Sequence, residues 1–290
     1  MKVIQDFLNY LTVEKGYSQQ TISTYRDSLE SFQIFFRSLD DQLTWESIPT
    51  DVVRRWMVTE MERGKGARTV AKDLSALRTL YKYLLRMQRI EKDPVRILKN
   101  PKIHEPLPVF LKQSEVDRLF DGVTFPESFE GLRDRTILLT FYHTGVRVSE
   151  LVGINVADVR LDEAELKVTG KRNKQRLIPF GSELLQAFRY YLSECSLSEG
   201  PLFITSDGNR LTRYQVESIV KKYLSLVTTQ SKKSPHVLRH TFATAMLNNG
   251  ADLESIKELL GHESISTTEV YTHTTFADLK KEYKLAHPRA

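Results

Sequence analysis

The sequence predicts a mainly α protein with a small β-sheet: a helical N-terminal domain followed by a mixed α/β domain that is itself mostly helix. Three observations predict it. Apolar residues recur at three- and four-residue spacing through most of the chain. Strict alternation is confined to one stretch around a turn, Glu165 to Pro179. Asn100 to Val109, NPKIHEPLPV, holds three prolines and no period, so it reads as an extended linker. The expected domains are therefore 1–99 and 110–290, joined by 100–109.

The N-terminal domain reads as four helices. Ile4, Phe7, Leu8 and Leu11 mark the first, closed near Gly16. Ser18 can cap the second, with Ile22, Tyr25, Leu29 and Phe32 on one side. Pro49 and Thr50 precede the third, with Val53, Trp56, Met57 and Met61 inward. The fourth runs from about Ala67 to Met87. At ~100° per residue its Val70, Leu74, Leu77, Tyr81 and Leu84 share one arc. Arg68, Lys72, Arg78, Lys82, Arg86 and Arg89 fall on roughly the opposite arc. From Arg63 to Lys102 there are twelve Lys or Arg against three acids. A merely solvated face usually mixes signs, so this one reads as a surface that tracks phosphates.

Beyond the linker, Ser114-Glu115-Val116-Asp117 resembles a capping box for a helix ending at Gly122. Leu132 to Leu151 contains TGVRVSEL, where Arg147 follows a Thr-Gly turn and Glu150 stands three residues on. By itself that pair reads as a surface ion pair of small value. In the hairpin Leu166 and Val168 alternate, Gly170 to Asn173 turn, and Leu177 and Ile178 return. Lys171, Arg172, Lys174 and Arg176 crowd its tip, a cluster that alone is more often a solvated loop. Residues 183–226 are again helical, broken at Gly200-Pro201 and Asp207-Gly208.

Ser234 to His273 carries the densest chemistry. Ser234 and Pro235 start a helix that places His236 and Arg239 on one face. A second helix fits Asp252 to Leu260, closed by Gly261 with His262 just beyond. A third can start at Thr267 or Thr268 and carry Tyr271. Arginine matches phosphate oxygens with a planar fork of donors, and histidine moves protons near neutral pH. A tyrosine among such cations is suited to attack a phosphodiester. The competing reading is a helical core with surface Arg and His.

Composition sets bounds. Forty per cent hydrophobic and 27% charged residues are ordinary for a globular protein. No apolar run approaches ~20 residues, so no transmembrane helix is expected. The amphipathic, acid-bearing start, MKVIQDFLNYLTVEKG, is unlike a signal peptide. The single cysteine, Cys195, rules out an internal disulfide and fits the cytoplasm. A net charge of +5 permits a nucleic-acid partner.

His236-x-x-Arg239, Gly261-His262 and Tyr271 resemble the catalytic segment of the tyrosine recombinases, the phage-integrase-like family. The wording SPHVLRHTFATAML, LLGHESISTT and YTH, with the ending HPRA, is most similar to the bacterial Xer recombinases of XerC and XerD type. The resemblance spans essentially the whole chain. It implies a DNA strand transferase in which the helical N-terminal core-binding domain clamps one side of double-stranded DNA, through Arg68, Lys72, Arg78, Lys82 and Arg86. It implies Tyr271 as nucleophile, forming a 3′-phosphotyrosyl bond. Arg147 and Arg239 would hold the non-bridging oxygens, and Glu150 is the usual acidic companion of Arg147. His236 would accept the tyrosine proton and His262 would bind the phosphate. Lys171, at the hairpin tip, is the family's lysine. Arg172 stands where glycine commonly follows, and with Lys174 it is a further expected DNA contact. His143 receives no role. The resemblance implies no metal and no cofactor. It implies four protomers on paired DNA sites, often with a related second recombinase and an FtsK-type translocase as activator. The task would be resolving chromosome or plasmid dimers at a dif-like site during cell division. The C-terminal helix, with Phe276, Leu279, Tyr283 and Leu285 on one side, would dock on the neighbouring protomer.

Rival readings lose on particular residues. His236 and His240 have zinc-helix spacing, but the residue between them that a metallopeptidase needs as Glu is Val237. A non-catalytic DNA-binding protein needs the basic helix but not the six residues together. A type IB topoisomerase shares the chemistry but not the Xer-like tail. A mobile-element integrase commonly carries an extra arm-binding domain, for which the expected domains leave no residues.

Overall fold

The computed structural model describes residues 2–103, 108–170, 173–261 and 275–290. The chain divides into two compact units, 1–106 and 107–290, each with its own apolar core.

In the first unit, α1 (Lys2–Val13) buries Ile4, Phe7, Leu8 and Leu11, the four residues its periodicity marks. In α2 (Gln19–Leu39) the Ser18 hydroxyl accepts from the Thr21 N–H at 3.3 Å. α3 (Thr50–Glu62) and α4 (Ala67–Arg86) both pack against α2. Phe32 lies 5.1 Å from Trp56 and 5.4 Å from Phe36, ring centre to ring centre, at the heart of this core. The inward face of α3 differs from expectation: Met61 is exposed and Glu60 is buried. The reason is Lys65, whose ammonium bridges Glu60 at 2.7 Å and Asp73 of α4 at 2.8 Å. Ser28 of α2 donates to Asp73 at 2.7 Å, so one buried polar knot ties three helices.

The basic face of α4 is not uniform. Arg68, Lys72, Lys82 and Arg86 are exposed, whereas Arg78 is half-buried and donates to the Leu98 carbonyl at 2.6 Å and to Asn100 at 2.7 Å. Arg86 donates to the Tyr10 hydroxyl at 2.7 Å. Arg78 and Arg86 therefore hold the fold of this unit as well as lying on its basic face.

The second unit is built around α6 (Phe129–Thr144), which packs against α8 (Ser182–Glu194), α9 (Arg213–Val227) and α10 (Pro235–Asn248). Burial on nearly all sides suits a helix with little amphipathic contrast. The hydroxyls of Thr136 and Thr140 return to the carbonyls four residues earlier, at 2.8 and 2.7 Å, so they are satisfied inside the core. Before α6, α5 (Gln113–Asp117) runs into a wider π-helical turn over Arg118–Gly122. Its first turn is closed by Glu115 accepting from the Lys112 N–H at 2.8 Å, two residues ahead of the expected Ser114 start. The hairpin forms as β2 (Glu165–Thr169) against β3 (Gln175–Pro179), with Leu166 opposite Ile178. A two-residue strand, β1 (Val159–Arg160), extends it to an antiparallel sheet of order β1-β2-β3. α7 (Val148–Gly153) and α11 (Leu253–Leu260) flank this sheet.

The last helix, α12 (Phe276–Ala286), lies on its own domain, against α10, α11 and β3. The resemblance implied docking on a neighbour; within the single chain the helix docks in cis. Tyr283 is fully buried with its hydroxyl 3.1 Å from His143 Nδ1, and Asn249 donates to the Ala286 carbonyl at 2.8 Å. Ala286, not Leu285, completes the inward face, because it stands seven residues from Leu279 and Leu285 points to solvent. Beyond the helix, the His287 ring stacks on His143 at 4.6 Å and on Tyr283 at 4.9 Å. Arg289 grips Glu183 through Nε at 2.6 Å and Asp121 through Nη2 at 2.7 Å.

These buried rings set a pH dependence. Burial, then the adjacent His143, pushes His287 down to about 3, and burial pushes His143 down as well. Both are neutral in the folded chain at neutral pH, while an unfolded histidine titrates near ~6.5. The unfolded state therefore binds more protons below that pH, and stability falls as pH drops from there towards 3. The melting temperature is expected to fall between pH 7 and pH 5, and to fall less steeply in His287→Phe. A flat profile for the unaltered chain contradicts the burial of a neutral pair.

Candidate active site

Gly145 ends α6 in the left-handed region at φ 59°, and a Cβ there would sit 2.6 Å from the Phe242 ring. This is the expected Thr-Gly turn, and it delivers Arg147 to the start of α7. Glu150, in the first turn of α7, accepts from the Arg147 backbone N–H and from its Nη1, both at 2.8 Å. The pair is not a surface ion pair. The Arg147 side chain is 38% exposed, but that of Glu150 is 2% exposed. A buried carboxylate so placed fixes the arginine from beneath and leaves its outer edge open.

Two more arginines meet at the same place. Arg239, on α10 and buried, donates to the Gly145 carbonyl and to the Leu260 carbonyl at 2.8 Å. Arg176, on β3, donates through Nε to the Leu259 carbonyl at 2.8 Å and through Nη1 and Nη2 to Glu150 at 2.9 and 3.0 Å. Arg147 Nη2 donates to the Gly261 carbonyl at 3.0 Å. Three successive carbonyls, 259 to 261, are thus taken by three different arginines. These carbonyls end α11, where helix geometry leaves acceptors unpaired and the dipole is negative. Gly261 closes the helix at φ 64°, and a Cβ on it would lie 2.9 Å from Arg176 Nη1.

The electrostatics follow. Burial raises the Glu150 carboxyl, but the donors from Arg176 and Arg147 outweigh it and hold the group below its ordinary value. Burial, then the charge of Arg147, brings Arg239 down to about 10, so it stays charged at neutral pH. His236 stands one turn before Arg239 on α10 and is exposed. Partial desolvation, then the charges of Arg239 and Arg213, lowers its imidazole below the ordinary value. It is therefore neutral at neutral pH and able to take a proton.

The structure thus brings Arg147, Glu150 and Arg239 together, with His236 on the Arg239 helix. Lys174 is exposed in the hairpin connection, just before β3. Lys171, Arg172, His262 and Tyr271 lie outside the described residues, as does the expected third helix from Thr267 or Thr268. Sequence reasoning missed Arg176 as a member of the constellation, counting it only with the basic tip. The signal was its alternation: Arg176 pairs with buried Val168 and shares a strand face with buried Ile178.

Comparison with known proteins identifies the class. Residues 109–278 match the Phage integrase family, and residues 4–88 match the Phage integrase, N-terminal SAM-like domain. The chain belongs to the phage integrase family. It is 39% identical to the tyrosine recombinase XerC of Bacillus subtilis (strain 168), over 98% of this chain and 95% of the relative. Against the tyrosine recombinase XerD of Oceanobacillus iheyensis the identity is 36%, over 99% and 98%. The fold is shared with the XerH site-specific recombinase bound to a palindromic difH substrate, at TM-score 0.72 and 20% identity over 92% of this chain and 76% of that one. The Tn1549 transposon integrase in complex with circular intermediate DNA has the same score, at 18% identity over 97% and 98%. This phage integrase family member is a tyrosine recombinase of Xer type, a site-specific DNA recombinase. No helix among its described residues is long and apolar enough to cross a membrane.

Proposed function

We propose that this recombinase cleaves and rejoins double-stranded DNA through a 3′-phosphotyrosyl intermediate on Tyr271, and that its task is resolving chromosome or plasmid dimers at a dif-like site. The observation that carries the chemistry is the convergence of Arg147 and Arg239 on the carbonyls of Gly261 and Leu260. Two guanidinium groups there are suited to the non-bridging oxygens of one phosphate, and His262 is the next residue in the chain.

In the proposed reaction the Tyr271 oxygen attacks phosphorus as His236 takes the phenolic proton. The bond from phosphorus to the 5′ oxygen breaks, and Lys171 supplies that oxygen with a proton. The phosphodiester energy is kept in the phosphotyrosyl bond, so a 5′-hydroxyl from another strand reverses the step. Four protomers on two sites, with a related second recombinase or alone, and with an FtsK-type activator in the cytoplasm, complete the proposal. In such an assembly α12 leaves its own domain for a neighbour. The proposed domain roles are a DNA clamp for 1–99 and catalysis for 110–290.

Incubation with nicked candidate duplexes from the same genome tests the proposal. A covalent protein–DNA band on a chromosomal or plasmid site is expected. Capture only on the ends of a mobile element contradicts the dimer-resolution task.

The clamp has its own test. Lys72 and Lys82 are exposed and make no ion pair among the described residues, and neither is pinned as Arg78 is by its hydrogen bonds to Leu98 and Asn100. Lys72→Ala with Lys82→Ala is expected to weaken binding to many sequences alike, and each lost phosphate contact lowers the log–log salt slope by about 0.9. An unchanged slope shows that this face is only solvated.

A further inference from the structure

We infer that Arg176 is a positioning residue of the recombination reaction, locking Glu150 and the end of α11 so that Arg147 presents its free edge to the scissile phosphate. The inference rests on the proposed phosphate-binding role of Arg147. Its geometry stands independently.

Glu150 is saturated on both oxygens. Oε1 receives Arg147 Nη1 and Arg176 Nη1, and Oε2 receives the Arg147 N–H and Arg176 Nη2. Half of the donors to a buried carboxylate thus come from Arg176. Among the described residues, the charged groups facing Glu150 are Arg147 beside it on α7, Arg176 from β3 and Arg239 from α10. Arg147 spends one N–H on Glu150 and one on the Gly261 carbonyl. A guanidinium has five, so three stay open to a ligand. Their direction is set by the two groups that Arg176 itself holds, the Glu150 carboxylate and the last turn of α11.

The backbone is shaped to admit this arginine. Gly261 has no Cβ where Arg176 Nη1 would be 2.9 Å away, and Gly170 has none where Glu150 Oε1 would be 3.2 Å away. The side chain of Arg176 is only 16% exposed, so it is poorly placed to bind DNA itself. Lysine cannot replace it fully, because one ammonium on a shorter arm does not span both Glu150 and the Leu259 carbonyl.

Without Arg176, Glu150 keeps its burial but loses the donors that offset it, so its carboxyl rises. A protonated Glu150 no longer holds Arg147 as an ion pair. The lost rate should therefore appear with a displaced acid limb, which loosened packing alone does not produce.

The test uses the full chain and the nicked duplex that the unaltered protein captures. Single-turnover adduct formation is followed from pH 5 to pH 8 with saturating protein, beside DNA affinity and melting temperature. Arg176→Met is expected to form adduct about 10- to 100-fold more slowly, the range for outer-shell partners of a working site, with DNA affinity retained. Its acid limb should lie at higher pH than in the unaltered chain. Arg176→Lys should recover part of the rate and part of the displacement. An unchanged rate, or a slow Arg176→Met and an equally slow Arg176→Lys with the acid limb unmoved, overturns the inference. Where Arg176→Met does not fold, Arg176→Lys carries the test by the same displaced limb. A DNA-free arm follows the Glu150 carboxyl carbon by NMR, assigned with Glu150→Gln. Its midpoint should rise in Arg176→Lys, and an unmoved midpoint overturns the inference. If the unaltered chain captures no duplex while this midpoint moves, the recombination chemistry has failed and the positioning has not.

Discussion

Tyr271→Phe is expected to bring covalent adduct formation to background while leaving DNA affinity unchanged. The substitution removes one oxygen, the atom proposed to bond to phosphorus, and changes neither charge nor bulk appreciably. Two other tyrosines serve as controls. Tyr283 is fully buried against His143, and burial holds its phenol well above the ordinary value, so it cannot supply a nucleophile without leaving its place. Tyr214 is 80% exposed on α9, so it tests whether accessibility alone makes a nucleophile. Tyr283→Phe and Tyr214→Phe should both still cleave. Adduct from Tyr271→Phe protein would falsify the assignment.

The second large effect separates Lys171 from the arginines. A departing 5′ alkoxide is a poor leaving group unless it is protonated as it goes, and a positioned general acid contributes typically ~10²–10⁴-fold. Lys171→Ala should therefore slow cleavage of ordinary DNA by about that range. A 5′-bridging sulfur needs no acid, because thiols titrate near ~8.5 and the thiolate departs readily. On that substrate Lys171→Ala should regain much of its rate. Arg147→Ala and Arg239→Ala should lose about 10²–10³-fold, as for a removed oxyanion donor, and sulfur should not rescue them. Their proposed work is on the non-bridging oxygens, whose charge builds whichever group leaves. A Lys171→Ala protein equally slow on both substrates places the acid elsewhere. Lys174, exposed in the hairpin connection, is then the next residue to test. Arg172 is a poor acid because guanidinium hardly releases a proton.

Long periodic elements were legible in the sequence. The apolar arc of α4 is buried as its spacing requires, and the Ser234-Pro235 start and Gly261 stop bracket α10 and α11 as their local chemistry demands. What escaped was set by contacts distant in sequence. Glu60 turns inward because Lys65 and Asp73 meet it there, which an apolar pattern cannot register. A two-residue β1 is too short to carry a period. Arg147 and Glu150 read locally as a surface pair because the burial of Glu150 comes from the hairpin folding over α7. Arg176 was hidden for the same reason: one arginine among four basic neighbours differs from them only in the strand face it occupies. His143, which received no role, is a packing partner of Tyr283 and His287.

The most direct measurement is to digest the trapped protein–DNA complex and map the modified peptide by mass spectrometry. The account predicts a nucleotide joined through its 3′-phosphate to Tyr271, with a free 5′-hydroxyl on the released strand that polynucleotide kinase labels without prior dephosphorylation. A nucleotide on any other residue, or a 5′-phosphate linkage, contradicts it.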